Sequence, residues 1–335
     1  LRRNVRHNLA GWTWLTLEKV PFFTCSLVST LVGFAVIKKA GGIAAPPEST
    51  WLDHITYPAL GYLGYLSKTA WPTNLVLPYV RPPHVPLLQT WAVLFLLAAI
   101  SAIVIAKIKR QPYLAVGWFW FLGALLPVGG GFQLGVQYMA DRYTYFPSIG
   151  FFLAIAWLMA DLAQKWRWPS TARSLLAAGI LLGCVTASYQ QCCVWRDSET
   201  LYRHALAASR NNFLAHSGLA DQLFKKGQLE EAIKECTTAI QIEPRYDPAH
   251  THLGRFYAEK KEFDRAIDHF QQAIALRPGD MKPRNNLGNV YFILGRNEEA
   301  LEQFEAAVGL NPEHAEAQGN FGLVLEKLGR PVEAI

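Results

Sequence analysis

Charge is scarce in the first part of the sequence and absent from two long stretches. Residues 111–140 and 143–160 contain no Asp, Glu, Lys or Arg, so Asp141 and Arg142 are the only charges from 111 to 160. Uncharged apolar runs of about 18 residues or more are typical of helices that cross a membrane. This lack of charge argues against a soluble fold for residues 1–195 and predicts a helical membrane domain.

Cysteine motifs and the residue patterns of soluble active sites are also missing. The five cysteines form no Cys-x-x-Cys motif and no Cys/His cluster, so their spacing predicts neither a zinc site nor a disulfide framework. The sequence contains no P-loop, no His-Glu-x-x-His helix and no nucleophile elbow. We therefore expect no metal site and no bound cofactor, and the catalytic residues are unknown at this point.

The positions of the excess basic residues indicate a membrane protein and not a nucleic-acid-binding protein. The net charge is +6, and Lys and Arg cluster beside apolar runs, where they orient membrane proteins. No aromatic and basic groove indicates RNA or DNA binding. The pattern predicts an interfacial helix at 57–71 and about five spans, at residues 20–37, 85–106, 113–128, 146–162 and 174–191.

The distribution of Lys and Arg also predicts which side of the membrane each loop faces. Ten of these residues lie in the N-terminal segment and in the turns at 107–110 and 161–173, whereas five lie in the other loops. Because basic residues favour the cytoplasmic side, we expect residues 40–84, 129–147 and those after 195 to lie outside the cytoplasm. Lys68 and Asp141 would then share one face with the C-terminal part of the chain.

The charged pair at 141–142 admits two interpretations. A charge facing lipid at mid-bilayer costs about 2.5–3.5 kcal/mol, so such residues usually have a role. An Arg held in a fixed position is a good partner for a phosphate group. The segment 57–71 contains one further cation, Lys68. One interpretation is a lipid-phosphate site formed by Arg142, Asp141, Lys68 and Tyr143. The other is an ordinary membrane-surface turn in which Arg142 reaches the interface beside its neighbour.

A period of 34 residues organises the chain after residue 196. The interval separates successive members of two sets, Ala232, Ala266, Ala300 and Ala334, and Pro244, Pro278 and Pro312. This is the tetratricopeptide signature, in which small residues let two antiparallel helices approach closely and proline ends the second helix. We predict a half repeat at 196–210, whole repeats at 211–244, 245–278 and 279–312, and a truncated repeat at 313–335.

The predicted fold class is therefore all-α, a polytopic helical membrane domain followed by a tetratricopeptide-repeat α-solenoid. The first helix of each repeat lines the concave face of such a solenoid. Four asparagines fall there, and their carboxamides could bind the backbone of an extended peptide. The alternative is that they are simply solvated. These residues are Asn285, Asn286, Asn289 and Asn320.

Four segments resemble one family. They read YLSKTAWP at 65–72, WFWFLGALLP at 118–127, MADRYTYFPSIG at 139–150 and VWRDSETLY at 194–202. Together with the repeats, they resemble the transmembrane and tetratricopeptide-repeat-containing O-mannosyltransferase family, especially its bacterial relatives. That resemblance implies a C-type membrane glycosyltransferase that uses a polyprenyl-phosphate-linked sugar and a polypeptide acceptor.

The resemblance also implies what this chain would contribute. The family's catalytic acids lie in a first loop that would precede Leu1, and Leu1 is not a start methionine, so we expect a fragment. Asp141 would orient Arg142. The protein would be an integral protein of the bacterial inner membrane with periplasmic repeats, or with repeats in the endoplasmic reticulum lumen in a eukaryote.

Two other functions stay open from the sequence. The first is a non-catalytic, membrane-anchored scaffold that gathers partner proteins with its repeats. The second is a ligase or polymerase that transfers a preassembled lipid-linked glycan. An upstream loop without acidic residues would favour the scaffold, and the range of donors used would separate the ligase from a transferase of single sugars.

Overall fold

The computed structural model describes residues 50–72, 75–76, 79–82, 85–126 and 137–330. Nearly all of this described part is helical. It forms two compact units, one containing Tyr79–Ala177 with the segment up to Thr73, and one containing Asn74–Pro78 and the chain from Ala178 onward. Each unit is described separately below.

The described residues up to Val194 form five α-helices, two very short strands and one turn of 3₁₀-helix. In chain order these are α1 (Asp53–Ala70), β1 (Tyr79–Val80), α2 (Leu87–Ala106), α3 (Pro112–Leu125), β2 (Gln137–Met139), the 3₁₀-helix Asp141–Thr144, α4 (Tyr145–Lys165) and α5 (Ser170–Val194).

Three helices in the described part of the chain are long and apolar enough to cross a membrane, and they are α2, α4 and α5. Helix α3 has 14 residues, which corresponds to about 21 Å of helix. This length is below the roughly 30 Å of a bilayer core, so α3 is shorter than the span expected at 113–128. The expected span at 20–37 lies outside the described residues.

Helix α1 packs one face against the rest of the first unit. Its buried residues include Tyr57, Gly61, Tyr65 and Thr69, which recur at the four-residue spacing of one helical face. The helix begins at Asp53, before the expected start at 57. Asp53 Oδ2 accepts the Thr50 amide N–H at 2.7 Å and the Thr50 carbonyl accepts the Asp53 N–H, and this reciprocal pair closes the first turn.

Helices α3 and α4 approach closely because both carry glycine at their contact. A Cβ atom added to Gly117 would lie 2.4 Å from the carbonyl oxygen of Gly150, and one added to Gly150 would lie 2.6 Å from the Trp120 ring. Such distances leave no room for a side chain at either position. The two glycines therefore determine how closely these helices pack.

A two-stranded antiparallel ribbon joins the segment before α2 to the segment after α3. Tyr79 pairs with Met139 and Val80 pairs with Gln137. The sequence did not predict this ribbon. Because β1 precedes α2 and β2 follows α3, their pairing brings the chain after α3 back to the start of α2. Lys68, at the last turn of α1, and Asp141 can therefore meet.

The second unit is a solenoid of antiparallel helix pairs, as the 34-residue period predicts. A single helix, α6, comes first, three pairs follow, and one further helix ends the described chain. The helices are α6 (Ser198–Ala208), α7 (Phe213–Lys225), α8 (Leu229–Ile242), α9 (Asp247–Glu259), α10 (Phe263–Leu276), α11 (Met281–Ile293), α12 (Asn297–Leu310) and α13 (Ala315–Lys327).

In two of the three pairs a phenylalanine of the second helix packs against a glycine of the first. A Cβ atom on Gly254 would lie 2.6 Å from the Phe270 ring, and one on Gly288 would lie 2.7 Å from the Phe304 ring. Both phenylalanines are fully buried. This contact is the physical reason that the glycine recurs at the repeat interval.

The turn inside each repeat requires a left-handed residue. Gly227, Gly295 and Gly329 have φ angles of 77°, 74° and 73°, and Lys261 occupies the same position in its repeat with a φ of 63°. Glycine adopts this conformation without steric cost, whereas a residue with a Cβ does not. Lys261 is therefore the strained member of the set.

Candidate functional site

In the first unit, the charges of Asp141 and Lys68 act on each other's pKa. The Tyr79 hydroxyl donates a hydrogen bond to Asp141 Oδ1 at 2.8 Å. Burial raises the pKa of Asp141, while the Tyr79 hydrogen bond and the charge of Lys68 oppose that rise. Burial lowers the pKa of Lys68, and the Asp141 carboxylate opposes that fall. Each group thus favours the charged form of the other.

The backbone just before Asp141 is hydrogen-bonded to a side chain of α1. The Tyr65 hydroxyl accepts the Ala140 amide N–H at 3.0 Å, and Tyr65 is fully buried. The Met139 side chain also packs against Gly64. Tyr65 lies three residues before Lys68, so a single helix carries the lysine and also positions the segment that bears the aspartate.

Sequence reasoning missed Tyr65 and Tyr79 as parts of this site. The only available signal was that Tyr65 lies one helical turn from Lys68. The partner of Tyr79 could not be inferred, because it depends on the β1–β2 ribbon. In the structure Asp141 has a partner in Tyr79, which the expected role of orienting Arg142 did not include.

The other two predicted donor-site residues follow Asp141 in the same 3₁₀-helix. Tyr143 is partly buried against the cluster that includes Tyr65 and Met139. The backbone of Arg142 lies in the 3₁₀-helix, and its side chain lies outside the described part of the structure. Lys68, Asp141, Tyr79 and Tyr143 are therefore the residues of this site whose side chains the structure describes.

A further cation, Arg81, lies near the opposite end of α1. Its guanidinium stacks over the Tyr57 ring, 4.6 Å from the ring centre. The Tyr57 hydroxyl donates to the carbonyl oxygen of Pro82 at 3.0 Å. Since α1 separates Tyr57 from Lys68 by three helical turns, Arg81 and Lys68 lie at different ends of the helix.

Three of the four predicted asparagines meet on the solenoid. The Asn320 amide nitrogen donates to Asn285 Oδ1 and to Asn289 Oδ1, both at 3.1 Å. Asn285 in turn donates to Glu316 Oε1 at 3.1 Å. Asn285 is buried, and Asn286 is half-buried and outside this network. We call Asn285, Asn289, Asn320 and Glu316 the asparagine network.

The earlier repeats carry a charged network that sequence reasoning missed. Arg255 Nη2 contacts Asp221 Oδ1 at 2.5 Å, and its guanidinium lies over the Phe224 ring at 4.8 Å. Ser217 Oγ and His252 Nδ1 lie 3.2 Å apart. The signal was available, because Asp221 and Arg255 are separated by one 34-residue period.

No group of three or more His, Cys, Asp or Glu in the described ranges could hold a metal ion. Lys68 offers a half-buried ammonium for an anion, and the solenoid offers carboxamides.

Family models match the repeats. A TPR repeat model matches residues 288–329, and two tetratricopeptide repeat models match residues 223–283 and 195–248. These matches cover most of the region in which the 34-residue period occurs. The prediction of tetratricopeptide repeats is confirmed.

Curated relatives extend the similarity into the membrane part. The human protein O-mannosyl-transferase TMTC1 is 26% identical over 235 residues, which is 64% of this chain and 26% of that protein. Drosophila melanogaster Tmtc3 is 25% identical over 140 residues, which is 41% of this chain and 15% of that protein. The chain thus spans about a quarter or less of the length of these relatives.

Among solved structures, the crystal structure of MamA is 25% identical, with a TM-score of 0.39, and the match covers 44% of this chain and 86% of that one. The first TPR of Spaghetti (RPAP3), bound to HSP90 peptide SRMEEVD, is 26% identical, with a TM-score of 0.34, and the match covers 35% and 93%. By the family models, the described helices and the curated relatives, the chain combines tetratricopeptide repeats with helices long enough to span a membrane and is similar to protein O-mannosyl-transferases.

Proposed function

We propose that this chain is part of a membrane-embedded protein O-glycosyltransferase, mannosyltransferase-like and of the C type, that uses a polyprenyl-phosphate sugar donor. The observation that carries the proposal is the coupled pair of Lys68, on α1, and Asp141, whose preceding residue Ala140 is hydrogen-bonded to Tyr65 of α1. It lies in a chain that is similar to protein O-mannosyl-transferases. This proposal assigns no catalytic acid among the residues of this chain.

Lys68 would bind the donor phosphate. It lies in the last turn of α1, where the helix dipole favours a cation. Its half-buried surroundings have a lower dielectric constant than water, so its attraction to a phosphate is stronger there. Arg142, adjacent to Asp141 in the chain, would supply a second cation, and Tyr143 would border the site.

Asp141 would hold Lys68 in place before the sugar donor binds. A carboxylate beside an ammonium keeps the lysine charged despite its burial. The Tyr79 hydrogen bond fixes the carboxylate in turn. The phosphate would then bind a cation that is already charged and oriented, which reduces the cost of ordering it.

The repeats would bind the polypeptide acceptor through the asparagine network. Carboxamides both donate and accept hydrogen bonds, so they suit a peptide backbone. We place the protein in the bacterial inner membrane with periplasmic repeats, or with lumenal repeats in a eukaryotic endoplasmic reticulum. The distribution of Lys and Arg and the three long apolar helices support a membrane location.

The test replaces the proposed phosphate-binding cations in the full-length protein. Lys68→Ala and Arg142→Ala should each lower sugar transfer at least tenfold, while Lys107→Ala, an exposed lysine after α2, should leave it unchanged. Intact transfer in both site variants would overturn the assignment. The control separates loss of the site from a general loss of positive charge.

A non-catalytic scaffold is the second candidate, and the tetratricopeptide repeats favour it because stacked repeats form extended binding surfaces. A scaffold would bind partner proteins through its repeats but would not bind a polyprenyl-phosphate sugar. Equilibrium binding of that donor to the full-length protein therefore distinguishes the two functions.

A further inference from the structure

We propose that the groove between α3 and α4 binds an acyl chain of an anionic phospholipid, whose headgroup contacts the basic turns at one end of the groove. The residues assigned to the headgroup are Arg110 and Lys165. This lipid site does not depend on the proposed function, and it shares no residue with the donor site at Lys68 and Asp141.

The groove lies along the contact of α3 with α4. Its volume is about 310 Å³, which is at the lower end of the roughly 300–1,000 Å³ of ligand sites. Buried small residues form its floor and exposed large residues form its rims. The floor consists of Gly117, Gly150 and Ala154, and the rims carry Val116, Trp120, Ile149, Leu153 and Trp157.

The surface of the groove suits a hydrocarbon chain. All nine residues that line it are uncharged. The Trp120 indole N–H donates to the Phe146 carbonyl oxygen at 3.1 Å, and the Tyr113 hydroxyl donates to Asp161 Oδ2 at 2.5 Å. Because these polar groups are satisfied within the protein, the groove offers mainly van der Waals contacts to a ligand.

The same two hydrogen bonds give the direction of the groove. Tyr113, in the first turn of α3, contacts Asp161 near the end of α4, whereas Trp120 contacts Phe146 at the start of α4. The Tyr113 end therefore lies beside the turn between α2 and α3 and the turn between α4 and α5. Arg110 precedes Tyr113 by three residues, and Lys165 follows Asp161 by about one helical turn.

These two turns are strongly basic. Residues 107–113 and 161–173 together contain six Lys or Arg and one acidic residue, Asp161. The side chains of Arg110 and Lys165 are exposed. The rings of Trp166 and Trp168, 5.9 Å apart, lie in the second turn, and tryptophan is typical of the level of lipid headgroups. Basic residues at the cytoplasmic ends of transmembrane helices bind anionic headgroups.

The occupant follows from the apolar groove and the basic turns together. A phospholipid presents a hydrocarbon chain and a phosphate in one molecule, and the positive charge favours an anionic headgroup over a zwitterionic one. The sugar donor is a poorer match, because the distribution of Lys and Arg places Lys68 on the opposite side of the membrane from Arg110. A second transmembrane helix would cover the groove but would leave the basic residues without an anion.

The experiment measures lipid binding to the delipidated full-length protein in detergent by native mass spectrometry. The probes are palmitoyl-oleoyl phosphatidylglycerol and palmitoyl-oleoyl phosphatidylcholine, which have the same acyl chains and differ in the headgroup. Phosphatidylglycerol should bind at least fivefold more tightly. Arg110→Gln combined with Lys165→Gln should reduce this preference to less than twofold. Arg196→Gln combined with Lys234→Gln, which removes the same charge from exposed positions of the second unit, should leave it unchanged.

A second pair of variants tests the groove. Ile149→Trp places a large ring in the groove and should weaken binding of both lipids at least fivefold. Ile155→Trp is the matched control, because Ile155 is an exposed isoleucine of α4 outside the groove, and it should leave binding unchanged. Size-exclusion chromatography and circular dichroism check the fold of each variant. The charge variants alter exposed positions only, so they decide the inference by themselves should Ile149→Trp fail to fold.

Four results would overturn the inference. They are equal binding of the two lipids, a preference that survives the Arg110 and Lys165 substitutions, displacement of phosphatidylglycerol by a lower concentration of polyprenyl phosphate, and a dimer that Ile149→Trp dissociates. The third would assign the groove to the donor's chain and the fourth to a second copy of the protein. Sugar transfer is not measured, so failure of the donor-site proposal would appear in a different assay.

Discussion

Lys261 illustrates how one residue can deviate from the repeat pattern at a measurable cost. Its equivalents Gly227, Gly295 and Gly329 adopt the left-handed conformation freely, but Lys261 adopts it with a φ of 63°. We predict that Lys261→Gly stabilises the solenoid by about 1 kcal/mol, because it removes the clash of the Cβ atom. Chemical denaturation of the chain in detergent measures this change. Lys260→Gly, at a right-handed position, should destabilise, and the same sign for both would contradict the account.

Gly288 is the opposite case, a glycine required by packing. A Cβ atom at this position would lie 2.7 Å from the Phe304 ring. We predict that Gly288→Ala lowers the free energy of unfolding by about 2 kcal/mol through overpacking. Gly309→Ala should not destabilise, since nothing lies within 4 Å of a Cβ there and alanine favours a helix. An equal loss for both variants would show that the glycine–phenylalanine contact is unimportant.

At the scale of elements, the α7–α9 contact should be sensitive to acid. Burial, followed by the charge of Arg255, lowers the pKa of His252 from 6.5 to about 4. The folded state therefore keeps His252 neutral, while the unfolded chain takes up a proton below pH 6.5. Stability is fully present above pH 6.5 and is lost as the pH falls toward 4, by about 3 kcal/mol in total.

The measurement is the free energy of unfolding of the solenoid at pH 7.5 and at pH 4.5. His252→Gln should flatten the dependence, while His54→Gln, an exposed histidine of α1, should leave it unchanged. A pair of histidines in the same solenoid also makes its stability fall as the pH falls. His250 Nδ1 and His269 Nδ1 lie 3.3 Å apart, and burial and His250 lower the pKa of His269. An unaltered pH profile in the His252 variant would contradict this explanation.

The elements differ in how far the sequence predicts them. The repeats were predictable because each one is built from contacts inside a 34-residue unit. The site at Asp141 was not, because Tyr65 contacts Ala140 across 75 residues and Tyr79 contacts Asp141 across 62 residues. Such contacts leave no periodic signal. Helix α3 ends at Leu125, before the end of the apolar run for which the sequence predicts a span at 113–128.

At the scale of the whole molecule, the two units carry different kinds of candidate binding residues. The first unit contains the coupled Lys68, on α1, and Asp141, in the 3₁₀-helix Asp141–Thr144. The second contains a repeat surface with oriented carboxamides. In the proposed function, anion binding and polypeptide binding occur on separate parts of the chain, so we expect substitutions at one to leave the other intact.

The most direct test of this account is the equilibrium binding of a polyprenyl-phosphate sugar to the full-length protein in nanodiscs. We predict that Lys68→Gln weakens binding at least tenfold and that Lys107→Gln leaves it unchanged. Asn320→Ala, in the asparagine network, should also leave donor binding unchanged. Equal donor affinity in the wild-type protein and the Lys68→Gln variant would contradict the central claim that Lys68 binds the donor phosphate.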